Sequence, residues 1–213
     1  LEVGYLVDVY TNTWFDTIYH EHLDFHTVAP FEKLFERANM EVIGVDRISP
    51  QGGSIRVIAQ RINGKFQRDD SVDELIKLEH ELGLDKAKTF HEFEDKINIV
   101  REKLQKLVYE LKANNKSIAG FGAPTKATTL MSHFGIDENI LDFIVDENPL
   151  KQGLYTPISH IPVLSADELY ERKPDYVLIL AWNFADPIMK NHKKYSEEIG
   201  QFILPMPIPQ IVD

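Results

Sequence analysis

Ser117-Ile-Ala-Gly-Phe-Gly-Ala-Pro-Thr-Lys126 is the stretch whose reading decides the fold. Ser117 to Phe121 is a short apolar strand, the glycines at 120 and 122 open a tight turn, and Thr125 to Phe134 has the composition of a helix. The same alternation repeats downstream. A strand is expected at Leu141 to Val145, a helix at Ser165 to Arg172 and a strongly apolar strand at Tyr176 to Ala181. A helix from Phe184 to Ile199 and a last strand from Gln201 to Met206 complete the pattern. Strands that are apolar throughout, alternating with helices, indicate a parallel sheet covered on both faces.

Ligands of such sheets bind beyond the carboxyl ends of the strands, which directs attention to Gly122, Ala123 and Lys126. Glycines let backbone approach a phosphate, a helix start offers unpaired N–H groups, and Lys126 adds a positive charge, so a pyrophosphate is a sensible guest. The plain alternative is a strand-to-helix turn with an ordinary surface lysine. Asp146 closes the second strand, where a dinucleotide-binding fold places its ribose-binding acid, and this makes a free-standing nucleotide- or NAD-binding protein the competing reading. Against NAD, Thr125 replaces the third fingerprint glycine and Pro124 stiffens the loop. Trp182 and Asn183, after the third strand, would line the same cleft, although Trp182 fits a core role equally well.

Upstream, the helical spacing of Phe90, Phe93, Ile97, Val100, Leu104, Leu107 and Leu111 predicts a long amphipathic helix between Lys86 and Asn115. A coiled-coil or helical interaction module is the competing use of such a stripe. Ser71 and Glu74 stand at the positions of a capping box for a preceding helix that runs to about Gly83. Three parts result: an α+β segment over 1–70, a helical connector over 71–115 and a Rossmann-like domain over 116–213.

The first part holds the densest chemistry. Phe15-Asp-Thr-Ile-Tyr-His-Glu-His22 places a phenol, a carboxylate and two imidazoles in its last four residues. Imidazole exchanges protons near neutral pH, and a neighbouring carboxylate or phenol can orient it. In an extended run Tyr19 and Glu21 face opposite to His20 and His22; in a loop all four can converge. His-x-His is also a metal-ligand spacing, but zinc needs three or four protein ligands and the remaining histidines are scattered, so no metal is expected in this chain. Solvated surface is the bland reading. Val28 to Asn39 reads as a short helix with Phe31, Leu34 and Phe35 inward and Asn39 as its cap, followed by a strand at Glu41-Val-Ile-Gly-Val. Pro50-Gln-Gly-Gly-Ser-Ile-Arg-Val then opens a strand that puts Ser54 and Arg56 on one side, with Arg56 placed to clamp an anion.

These blocks, in this order, resemble the S-adenosylmethionine-dependent C-methyltransferases of nucleotide-linked deoxysugars. The resemblance runs from about Thr13 through IYHEH, GGSIRV, GFGAPTK, FIVDENPLKQG, IPV and PDYVLILAWNF, and so covers nearly the whole chain. Gln51 stands where that family often has histidine, and Ala127 where glycine is common. The resemblance implies methyl transfer to C3 of a 4-keto sugar through an enolate, with His22 as general base and Tyr19 and Glu21 orienting it or polarising the ketone. It implies that Ser54, Arg56, Gly122, Ala123, Lys126, Asp146, Trp182 and Asn183 contact the nucleotide sugar. The whole enzymes of that family also carry a cysteine-ligated zinc region and a domain that binds S-adenosylmethionine. Neither is found in this chain, which alone is expected not to methylate.

Composition sets the outer bounds. The chain of 213 residues has no cysteine, so it holds neither a thiolate metal site nor a disulfide. It begins at Leu1, and its first residues lack the basic and apolar regions of a signal peptide, so it reads as the downstream part of a longer polypeptide. No apolar run is long enough for a membrane span, and the cytoplasm is the expected compartment. With 23 basic against 34 acidic residues and a net charge of −11, a nucleic-acid surface is not expected, whereas a small nucleotide needs only a local cluster of donors. Oligomeric state is not written in the sequence.

Overall fold

The computed structural model describes residues 1–49 and 53–213. They form two compact units, one built from residues 1–14 and 20–95, the other from 15–19 and 96–213.

The first unit is a three-stranded antiparallel sheet of order β1-β3-β2, with β1 at Glu2–Gly4, β2 at Met40–Ile48 and β3 at Ser54–Arg61. Residues 2–4 pair with β3, so that Glu2 lies opposite Arg56. The helix α1 (Leu6–Asn12) follows β1. The helix α2 (Val28–Arg37) ends where Asn39 takes the left-handed conformation, a role asparagine tolerates. α3 (Ser71–Glu81) packs with α2 on β2. Tyr5, Phe31, Val42, Val45, Ile55 and Val72 form the centre of its core.

The capping box expected at Ser71 does not form. Ser71 lies inside the first turn of α3, and its hydroxyl accepts the N–H of Val45 at 2.8 Å, tying the helix to β2. The end of α2 that matters is its start, where Thr27 makes no side-chain cap. Glu79 of α3 supplies it: one carboxylate oxygen accepts the Val28 N–H at 2.6 Å and the Tyr5 hydroxyl at 2.9 Å, and the other accepts the Ala29 N–H at 3.2 Å.

The helix α4 spans Ala87–Ala113 and buries Phe93, Ile97, Val100, Leu104 and Val108 as one stripe, while Phe90 is exposed. This burial within the chain removes the stripe from use as a free coiled-coil surface.

The second unit carries a six-stranded sheet of order β6-β5-β4-β7-β8-β9, mixed α/β and Rossmann-like as expected. Its strands are β4 (Ile118–Phe121), β5 (Ile144–Val145), β6 (Val163–Leu164), β7 (Tyr176–Ile179), β8 (Gln201–Leu204) and β9 (Gln210–Val212). All pairs are parallel except β8 with β9, an antiparallel edge the sequence reading missed. α5 (Thr125–Phe134) follows β4, and Gln105 of α4 donates to the Phe134 carbonyl beside it. α6 (Glu168–Arg172), α7 (Ala185–Asn191) and α8 (Lys193–Glu198) bury Leu169, Ala185, Ile188 and Tyr195 against Phe121, Phe143, Val145 and Phe202. The single helix expected from Phe184 to Ile199 is broken at His192. That residue leaves helical geometry while its buried ring meets the Phe121 ring edge-on at 4.9 Å and the Tyr170 hydroxyl at 3.1 Å.

Between β5 and β6 no helix forms. A folded loop through residues 146–162 makes the crossover instead, pinned by the Gly153 N–H to the Val163 carbonyl and by the Val163 N–H to the Leu154 carbonyl, both 2.8 Å.

Candidate functional site

The turn after β4 is built as its glycines require. Gly122 has φ +88°, and a Cβ there would stand 2.6 Å from that of Ala181. Only glycine fits both demands. Its N–H donates to the Val145 carbonyl at 2.7 Å, which holds the turn at the ends of β4 and β5.

Asp146, the residue expected to face a ribose, is filled by its own surroundings. One oxygen accepts the Ala123 N–H at 2.7 Å and the Lys151 ammonium at 3.2 Å, and the other accepts the Asn148 N–H at 2.8 Å. Burial pushes this carboxyl's pKa up, but the Ala123 and Asn148 donors and the Lys151 charge outweigh it and hold it below the ordinary range. Lys151 also donates to the Ala123 carbonyl at 3.0 Å, so Asp146 and Lys151 brace the turn from both sides. An acid so occupied has little capacity left for a ribose, and this argues against the NAD reading.

Lys126, in the first turn of α5, is likewise engaged. Its ammonium lies 4.0 Å from the centre of the Trp182 ring, a cation–π contact. The Trp182 indole N–H donates to Asp16 at 2.6 Å. Asp16 is fully buried and its other oxygen has no hydrogen-bond partner. Burial raises its pKa above the usual carboxylate value, with Lys126 and the Trp182 donor opposing, while burial lowers that of Lys126 with Asp16 opposing. Asn183 lies exposed on the same turn as Trp182.

Asp16 was missed in the sequence, although it sits inside the quoted Phe15-to-His22 stretch. Nothing local marks it: its partner Trp182 is remote in sequence and reaches it through the fold. The short 3-10 turn Phe15–Thr17 belongs to the second unit, where Phe15 stacks on Phe134 at 4.8 Å and the Thr129 hydroxyl donates to the Ile18 carbonyl at 3.2 Å. Tyr19 ends this anchored segment.

His20, Glu21 and His22 follow in the first unit as a turn, not as an extended strand. His20 and Glu21 approach to 4.0 Å on the exposed surface, and half-buried His22 meets the edge of Phe25. Ser54 is buried at the start of β3, and exposed Arg56 pairs with Glu2 at 3.2 Å, an ordinary surface ion pair. Gly53 lies against Asp8, whose carboxylate is held by Arg47, so this glycine has a packing reason. Pro50, Gln51 and Gly52 lie outside the described residues. Among the described residues no group of three or more acidic or imidazole side chains could hold a metal, and no helix is long and apolar enough to cross a membrane.

A mostly parallel six-stranded sheet with a braced glycine turn after β4 defines a Rossmann-like α/β domain. Residues 49–207 match the family of C-methyltransferase C-terminal domains, and the chain belongs to that family. It is 36% identical over 212 residues to C-methyltransferase NovU of Streptomyces niveus, an alignment that takes in all of this chain and 50% of that protein. The chain thus spans about half the length of this relative.

Proposed function

We propose that this chain is the part of a C-methyltransferase that binds a nucleotide-linked 4-keto deoxysugar and removes the proton from its C3. The observation that carries the reading is the pairing of family membership with the Tyr19–His22 cluster, whose leading segment is fixed through Asp16 and Trp182.

A carbonyl at C4 acidifies the C3 proton. His22 takes that proton at an imidazole nitrogen, and the electron pair flows into the C3–C4 bond and onto the ketone oxygen as an enolate. Glu21 orients the imidazole, and the Tyr19 hydroxyl donates to the developing oxyanion. S-Adenosylmethionine, when bound, supplies the electrophilic methyl group that C3 takes up. Its site is not assigned to this chain. In the glycine turn after β4 the nearby acid, Asp146, is occupied by Ala123, Asn148 and Lys151.

The α5 start and Lys126 form the pyrophosphate-binding part of the proposal, with Gly122 and Ala123 allowing close approach and Trp182 and Asn183 beside them. Ser54 and Arg56 belong to the sugar side of the same reading. The native polypeptide containing this chain, supplied with methyl-labelled S-adenosylmethionine and a nucleotide-linked 4-keto deoxysugar, should transfer label to sugar carbon. Transfer to oxygen, or none, would contradict the reading.

A further inference from the structure

Asp16 stands where stability alone would not put a carboxylate. It is fully buried, one of its oxygens has no hydrogen-bond partner among the described residues, and an acid in that state costs more than an amide or a hydroxyl would. The bond it accepts from the Trp182 indole N–H, at 2.6 Å, joins the Phe15–Thr17 turn to the turn after β7.

Residues 15–19 are the part of the acid–base stretch that belongs to the second unit. They are folded on themselves, with the Ile18 N–H donating to the Phe15 carbonyl at 3.0 Å and the Tyr19 N–H to the Thr17 carbonyl at 3.1 Å. The Phe15 ring lies on Phe134 and, at 5.2 Å, against His133, contacts that set its depth without fixing a direction. The Thr129 bond to the Ile18 carbonyl is exposed to water. The short bond between Asp16 and the indole supplies the direction that the ring contacts lack.

We infer that Asp16 is a positioning residue for Tyr19: through Trp182 it fixes the turn from which the Tyr19 hydroxyl is presented. The inference rests on the role given to Tyr19 above. The chain from Asp16 to Tyr19 reaches about 10 Å at full extension, and the turn's own bonds shorten it, so what holds Asp16 holds the Tyr19 backbone.

Trp182 is held in turn at its face, where the Lys126 ammonium lies 4.0 Å from the ring centre. An anion at the indole N–H makes the ring face more negative, and a cation on the face makes the N–H a better donor, so each contact strengthens the other. Burial raises the pKa of Asp16 and lowers that of Lys126, and each is opposed by the other's charge, which is the same coupling.

The test reads Tyr19 directly, by fluorine NMR of the native polypeptide containing this chain with 3-fluorotyrosine in place of Tyr19. The signal should lie away from that of the free amino acid. Asp16→Ala and Trp182→Phe should each move it toward the free position, and combining them should move it no further. Asp16→Asn, whose amide oxygen can still accept the indole N–H, should restore it. With Tyr19 itself in place, wash-in of solvent deuterium at C3 of a nucleotide-linked 4-keto deoxysugar should slow by at least about tenfold in Asp16→Ala, with affinity for the sugar nucleotide unchanged, and should largely return in Asp16→Asn. If Asp16→Ala does not fold, Trp182→Phe decides, since it removes the donor and leaves the acid in place. A fluorine signal unmoved by Trp182→Phe, wash-in at the unaltered rate in folded Asp16→Ala, or a rate loss matched by lost affinity would overturn the positioning role. Absence of wash-in in the unaltered protein would overturn the function proposed above, and the fluorine signal would then still decide whether Asp16 fixes Tyr19.

Discussion

Gly122 and Asp175 show how single residues set the geometry of the second unit. A methyl group at 122 would bring both a left-handed conformation and a collision with Ala181, so Gly122→Ala should destabilise the chain by about 2 kcal/mol or more, read as a lower urea midpoint. Asp175 joins the starts of β4 and β7. Its carboxylate accepts the Ser117 N–H at 2.9 Å, the Lys116 ammonium at 2.9 Å and the Ser117 hydroxyl at 2.8 Å. The Ser117 N–H first, then Lys116, lowers its pKa to about 2 against burial. A depressed carboxylate stabilises the fold above its unfolded pKa and loses that contribution as pH falls through the folded value. Wild-type stability should therefore fall between about pH 4 and about pH 2, and Asp175→Asn should flatten that fall; urea midpoints across the window decide it. Gly122 was legible in the sequence because a glycine after an apolar strand announces a turn. Asp16 and Asp175 were not, because what they do depends on partners that only the finished sheet brings near.

At the scale of elements, helices and strands with clean apolar periodicity were readable, and those ended by tertiary contacts were not. The stripe of α4 and the apolar run of β7 fall where the spacing placed them. The break at His192 follows instead from a ring buried against Phe121 and Tyr170, a demand no local propensity expresses. The same holds for the start of α2, where the cap is a glutamate from another helix. Glu79 sits at an apolar spacing in α3 and is 4% exposed, so by pattern it reads as a misplaced charge. Glu79→Ala would leave the Tyr5 hydroxyl and the Val28 N–H buried without an acceptor, and should cost about 2–4 kcal/mol. Glu79→Gln keeps one acceptor oxygen and should cost less. Thermal melts of the two variants check the order.

At the scale of the whole molecule, the α/β class and the family were legible because several blocks recur in one order, a stronger signal than any one of them. The two units could not be drawn in the same way, since residues 15–19 join the second unit from a position far upstream of it. Within the second unit Asp16 bonds to Trp182 and Phe15 stacks on Phe134 of α5, and the chain then passes into the first unit, where His22 follows a few residues on. The central claim is that His22 removes the C3 proton of a 4-keto sugar. Its most direct test is wash-in of solvent deuterium at C3 of a nucleotide-linked 4-keto deoxysugar, followed by NMR in the native polypeptide containing this chain. The unaltered protein should exchange that proton, and His22→Ala should slow exchange by at least about 100-fold while still binding the nucleotide. Exchange at the unaltered rate in His22→Ala would contradict the claim.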